Sequence, residues 1–413
     1  MPDISRRQLL HGAALGGAAV GIGTLIPAAT SLIGGTPAAA STTRATTPQF
    51  HGIHQAGIIG APANETIVAV FDVIAPSLNT LSDLFQTLTA QARLLTGTSS
   101  VADLGPKTPP SDNGILGPSP EQVGSLTVTV GVGASLFDNR FGLTSKHPAR
   151  LTPMRTFPDD NLNPAECHGD LILQLGGESH DVVVHALRQI ARHTRGAMQL
   201  RWRIEGFSNA PRPSGTQRNL LGFKDGIANP DIHNADQMNQ LVWVDGKSPE
   251  PKWTAGGTYQ VVRIIRMLVE FWDRVSLNEQ EKMFGRRKDT GAPLDGNNET
   301  DIPNYAADPK GTIISLDAHI RRSNPRTAES DPSRILRRGV SYDRGIDSNG
   351  NLDMGLVFNC FQQDIQRQFE ANQMRLAGEP LVDYISPTGG GYFFVLPGIT
   401  DSSDYYAKTL LRT

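Results

Sequence analysis

Gly222-Phe223-Lys224-Asp225-Gly226, followed by Ile227-Ala228-Asn229-Pro230, places a carboxylate between two glycines. A carboxylate in such a loop can take and return a proton, and glycine lets backbone approach a ligand closely. The same five residues also read as an ordinary Asp-Gly turn. His319, in Leu316-Asp317-Ala318-His319-Ile320-Arg321, is a candidate metal ligand that reads equally as a surface or hydrogen-bonded histidine. Asn324-Pro325-Arg326 follows it. The other nine histidines show no zinc-like spacing, and no Cys-x-x-Cys-His exists, which excludes covalent c-type haem. Ile335-Leu336-Arg337-Arg338-Gly339 adds paired arginines that fit either a solvated face or an anion clamp.

The elements that must position these residues fall into two similar series. Thr66 to Ile74 reads as a strand, Ser77 to Leu95 as a helix with one apolar face, and Leu126 to Val132 and Asp170 to Leu175 as strands. Val182 to Thr194 repeats the helical pattern and Gln199 to Phe207 alternates again, so the order is β-α-β-β-α-β, the ferredoxin-like pattern. The second series reads as a strand at Tyr259 to Leu268, a short helix at Asn278 to Phe284, a strand at Leu356 to Gln362, a helix at Asp364 to Leu376 and a closing strand at Gly391 to Leu396. Between its members lies an inserted region, Gly285 to Arg344, rich in Gly, Pro, Asn and Asp. Loops of that length inside a compact domain are usually functional.

At 413 residues the chain exceeds what one core usually organises, so two domains are expected. A formal charge of -3 lacks the basic excess that phosphate contacts require, which argues against nucleic acid as a partner, and no polybasic segment supports membrane-surface binding. Cys167 and Cys360 are too few for a disulfide framework and read as packed thiols, with a single bridge between them left open. The N-terminus carries Ser5-Arg6-Arg7-Gln8-Leu9-Leu10, a weakly apolar Gly/Ala stretch through Pro27, and Ala38-Ala39-Ala40. This predicts a twin-arginine signal over residues 1–40, cut before Ser41, rather than a stable membrane span. Export of already folded protein raises the expectation of a redox cofactor without naming one.

The glycine-aspartate motif, His319-Ile320-Arg321 with Asn324-Pro325-Arg326, Ile335 to Gly339, and Gly389-Gly390-Gly391-Tyr392-Phe393-Phe394 occur in the order found in dye-decolourising peroxidases, which the chain resembles from about Phe50 to about Gly398. It is most similar to the twin-arginine-exported, iron-uptake-associated deferrochelatase/peroxidase branch, which His51-Gly52-Ile53-His54-Gln55-Ala56-Gly57 also fits. The resemblance implies an α+β fold of two ferredoxin-like halves of the dimeric α+β barrel type: residues 41–215 as the N-terminal half and 216–413 as the C-terminal, haem-binding half.

It further implies one non-covalent haem b per chain, with His319 as the proximal ligand and Asp383 as the carboxylate partner of the other ring nitrogen. Asp225 and Arg337 would form the distal, peroxide-splitting pair, with Arg338 as the rival arginine. Gly226, Ile227, Ala228, Asn324, Pro325 and Arg326 would contact haem, and Lys224 would be solvated. The implied function is oxidation of dyes, phenols or ferrous iron by hydrogen peroxide. Trp243, Trp253, Trp272 and Tyr392 stand as relay candidates or simple core. The alternatives are release of iron from haem with the tetrapyrrole intact and a non-catalytic haem-binding role in iron uptake. His51 and His54 read as iron ligands or as loop residues. A homodimer and iron-uptake partners remain open, and the location would be the periplasm or the outside of the membrane, according to envelope type.

Overall fold

A computed structural model describes residues 48–97, 104–117, 125–247 and 249–412, so the leader at 1–40 lies outside the described residues. The first series forms β1 (Glu65–Val73), α1 (Leu78–Thr96), β2 (Leu126–Gly133), β3 (Leu171–Gly177), α2 (His180–His193) and β4 (Met198–Phe207). α1 begins where the Ser77 side chain accepts from Thr80 N. It buries Leu81, Leu84, Phe85, Leu88 and Ala92, the one face its spacing predicts. Each such leucine contributes about 1.5–3 kcal/mol through burial.

The second series runs α3 (Ala235–Leu241), β5 (Thr258–Met267), α4 (Val269–Trp272), α5 (Leu277–Phe284), α6 (His319–Ser323), β6 (Leu336–Arg337), β7 (Val340–Ile346), β8 (Leu352–Gln362), α7 (Ala371–Leu376) and β9 (Ile385–Val395). Strand order is β4-β1-β3-β2 in the first series and β7-β8-β5-β9 in the second, all antiparallel, which is the same ferredoxin-like arrangement twice. β2 meets β9 from Gly131↔Val395 to Gly133↔Phe393, and β4 meets β7 at Phe207↔Ser341, so eight strands close into a ring with β6 lying beside β8. Val68, Val70, Ile172, Trp202, Ile204, Val262, Ile264, Val340, Tyr342, Val357 and Phe393 fill its interior. The helices pack on the outside. The α+β architecture expected from the sequence is therefore present.

Two boundaries differ from the sequence reading. The region 285–344 is not all loop, because it contains α6 and β6 and runs into β7. Only Val340, Ser341 and Tyr342 of β7 are buried, and the exposed Asp343, Arg344 and Gly345 erase its alternation. β9 starts at Ile385 rather than Gly391. Pro387 and the three glycines depress its apparent strand propensity. Gly390 is there for contact as much as for conformation: a Cβ at its φ of +127° would meet Val262 O at 2.0 Å.

The motif His51 to Gly57 packs against the ring. Gln55 Nε2 donates to Val130 O at 2.8 Å and Leu396 O at 2.7 Å, and Val130 N donates to Gln55 Oε1 at 2.8 Å, which ties β2 to the chain leaving β9. His54 stacks on Trp243 with ring centroids 3.7 Å apart and bonds Gly256 O through Nδ1.

Candidate active site

The glycine-aspartate motif forms the returning arm of a small hairpin. Asp225 N donates to Gln217 O and Asn219 N to Phe223 O, each at 2.9 Å, while Arg218 and Lys224 face each other across it. Asn219 Oδ1 accepts from Leu221 N and Phe223 N and so shapes the tip. Phe223 is buried, stacked on Phe284 at 3.9 Å and edge-on to Trp272. That anchor fixes the arm, from which Asp225, two residues further on, leaves on the same side. Asp225 Oδ1 accepts from Arg337 Nη1 at 2.8 Å.

Arg337 arrives on β6, where Arg337↔Cys360 pairs it with β8. Asn229 clips it in place, because Arg337 N donates to Asn229 Oδ1 and Asn229 Nδ2 to Arg337 O, both at 2.9 Å. Asn229 is a site residue that the sequence reading passed over. Arg338 points elsewhere, with Nε donating to Ile58 O at 2.9 Å, so the geometry separates the two neighbouring arginines. Trp243 and Trp272 are both core side chains, and Tyr392 is buried too.

His319 opens α6. Its Nδ1 lies 2.9 Å from each carboxylate oxygen of Glu379, which is 2% exposed. Asp383 is thereby corrected as the expected partner: it ends the turn Pro380–Asp383 and is exposed, whereas Glu379 stands at the start of that turn and reaches inward. Burial alone would lower the His319 pKa, but the charge and hydrogen bond of Glu379 outweigh it and raise the value. Among the described residues Nε2 has no hydrogen-bond partner, and the ring lines the cavity.

Asp225, Gly226, Ile227, Ala228 and Arg337 line the same cavity, with an apolar wall from Ile265, Met267, Phe284, Leu356, Phe358 and Ile385. Asn324 and Arg326 lie along it. Pro325 is set back from the lining, and its effect is local: the residue before a proline avoids helix, and α6 stops at Ser323 with Asn324 outside the helical region. Arg326 holds a left-handed φ of +58°. It stands by Tyr305, whose hydroxyl burial pushes up to about 12 against the pull of Arg326, Arg286 and Arg321.

These residues fit haem on two counts. An imidazole fixed at Nδ1 by a carboxylate offers Nε2 to iron. Arg286 and Arg326 also line the cavity and have no carboxylate partner among the described residues, which suits an anionic propionate edge.

Family models for the Dyp-type peroxidase N-terminal and C-terminal regions match residues 55–208 and 216–400. The chain belongs to the Dyp-type peroxidase family. It is 49% identical over 370 residues to a protein named Deferrochelatase from Escherichia coli, covering 88% of this chain and 87% of that one. A protein of the same name from Yersinia pestis is 48% identical over 369 residues, covering 88% and 84%. Among solved structures, a DyP-type peroxidase from Cellulomonas bogoriensis superposes with a TM-score of 0.79 at 34% identity, covering 89% of this chain and 99% of that one. Ferric DtpA from Streptomyces lividans gives 0.78 at 34% identity, covering 88% and 97%. As a Dyp-type peroxidase the chain uses non-covalent haem b and acts as a haem peroxidase.

Lys224 also departs from expectation. It is buried, not solvated: its side chain is 4% exposed and its Nζ pairs with Glu299 and donates to Ser214 O at 2.8 Å. A lysine between Phe and Asp carries no sequence signal for such burial, because the partner is 75 residues away.

Proposed function

We propose that His319 would hold haem iron as its proximal ligand through Nε2 and that Asp225 and Arg337, which line the same cavity, handle hydrogen peroxide. The observation that carries this is the 2.8 Å Asp225–Arg337 pair in the cavity onto which His319 turns its unpartnered Nε2. Haem bound there would supply the electrons for O–O cleavage. The Asp225 carboxylate takes the proton from one peroxide oxygen and returns it to the other, which departs as water. Arg337 stabilises the negative charge that develops on that oxygen. A reducing co-substrate, such as a dye, a phenol or ferrous iron, then restores the resting enzyme. The test is to mix ferric protein with one equivalent of peroxide and follow the Soret band; no rapid change in the wild-type protein would sink the reading.

The name carried by the Escherichia coli and Yersinia pestis relatives favours a second activity, release of iron from haem with the tetrapyrrole intact. Metal-free protoporphyrin formed from supplied haem under reducing conditions is its required product. A role as a passive haem carrier is disfavoured, since a carrier has no use for a paired distal acid and arginine.

Residues 41–215 and 216–413 are proposed as the N-terminal and haem-binding halves, with residues 1–40 as a twin-arginine leader that delivers the enzyme to the periplasm or the outer face of the membrane. No helix among the described residues is long and apolar enough to cross a membrane. Components of an iron-uptake system and a second copy of the chain are the proposed protein partners.

A further inference from the structure

We propose that the buried Lys224–Glu299 pair is a clasp that positions Asp225, tying the distal hairpin to the segment that continues toward His319. The proposal rests on the distal role of Asp225.

Glu299 holds both arms of the hairpin at once. One of its oxygens accepts from Thr216 N at 2.8 Å and from Thr216 Oγ1 at 2.7 Å, on the outgoing arm. The other pairs with Lys224 Nζ, on the returning arm. Burial would raise the Glu299 pKa, but Lys224 and Thr216 hold it below the usual glutamate range, so the clasp carries a carboxylate.

The surrounding chain is shaped to admit this pair. Gly291, at φ +78°, leaves room where a Cβ would meet Lys224 Cδ at 2.7 Å. Gly215, at φ +81°, does the same where a Cβ would meet Glu299 Oε2 at 2.1 Å. Both positions need glycine for conformation and for space. Nearby, Arg218 reinforces the link by donating to Gly222 O within the hairpin and to Lys288 O and Asp289 O across from it.

Lys224 and Asp225 are consecutive residues on an extended arm, so their side chains leave it on opposite sides. Lys224 is bound to Glu299 while Asp225 is bound to Arg337. The backbone between them is thus held from both sides. Loss of the clasp leaves the Asp225 carboxylate in place chemically but free to drift from its working position. Misplacement of a catalytic group by about 1 Å can cost about 100-fold in rate.

The test is a double-mutant cycle on haem-loaded enzyme, using Glu299→Gln, Asp225→Ala and the double variant, with the second-order rate constant for peroxide as readout. Glu299→Gln is expected to keep its haem and Soret position and to lose about 10-fold in that rate constant, while Asp225→Ala loses about 100-fold or more. In the Asp225→Ala background the Glu299→Gln change is expected to have no further effect, because its action runs through Asp225. A full 10-fold loss in that background, or none in the wild-type background, overturns the clasp and leaves the distal role of Asp225 standing. An Asp225→Ala enzyme as fast as wild type overturns the distal reading and the clasp with it. If Glu299→Gln loses haem, Thr216→Val, which deletes one hydroxyl bond at similar volume, replaces it in the cycle with an expected loss of about 3-fold.

Discussion

Glu379 presents both carboxylate oxygens to His319 Nδ1 at 2.9 Å, and no other side chain contributes a hydrogen bond to that nitrogen among the described residues. Glutamate as partner makes the imidazole more basic and fixes its plane, both of which would bear on the iron affinity of the proposed ligand.

The first prediction concerns pH. In the haem-free chain burial lowers the His319 pKa, Glu379 more than compensates, and the net shift is upward. A raised folded pKa means the pair's stabilising effect is complete below the ordinary value of about 6.5 and is lost as pH rises through the raised value. Iron needs Nε2 unprotonated, so haem affinity should fall as pH drops through the same window. Spectral titration of apoprotein between about pH 5 and 9 measures this. In Glu379→Gln the window should move to lower pH; an unmoved profile would refute the coupling.

Asp225→Ala should retain haem, since the aspartate meets Arg337 and not the proximal side. The peroxide rate constant should fall by about 100- to 10,000-fold, the usual contribution of general acid-base catalysis. Stopped-flow mixing reads it, and a loss smaller than about 3-fold would remove Asp225 from the mechanism.

The two adjacent arginines should behave oppositely. Arg337→Leu removes the distal cation and should slow the peroxide step by about 100-fold. Arg338→Leu removes only a bond to Ile58 O from a buried guanidinium whose pKa burial lowers. Its peroxide rate constant should stay within about 3-fold of wild type. Reversed results would reassign the distal arginine.

Gln55→Leu should destabilise without touching catalysis. It strands Val130 N and Leu396 O, which the Gln55 amide now satisfies, while Val130 O keeps its bond from Leu396 N. A loss of about 3 kcal/mol is expected, read as a lower denaturant midpoint at unchanged slope. Equal stability would mean that water or a shifted backbone replaces those bonds.

Much of this was legible in the chain itself, for reasons that differ residue by residue. α1 and β1 were readable because Leu81, Leu84, Leu88 and the run Ile67 to Phe71 keep their periods unbroken. Asp225, His319 and Arg337 were nominated by motifs in order, and the structure brings all three to one cavity. Glu379 was not nominated, because one buried carboxylate looks like any other until the fold brings it to its partner. Asp383 sat in the more suggestive context and was wrong. Lys224 failed the same way: burial of a lysine depends on Glu299, and only tertiary contact pairs them. The choice between Arg337 and Arg338 needed the short strand β6, whose two residues pair at Leu336↔Phe361 and Arg337↔Cys360.

Closure of eight strands into a ring has a consequence beyond the site. An open sheet ends in rows of unpaired backbone N–H and C=O groups that recruit strands from other chains. Here the three β2–β9 pairs and the β4–β7 pair at Phe207↔Ser341 join the edge strands of the two series to each other. Where those pairs form, the edge strands spend their backbone groups on each other instead of offering them to a strand from another chain.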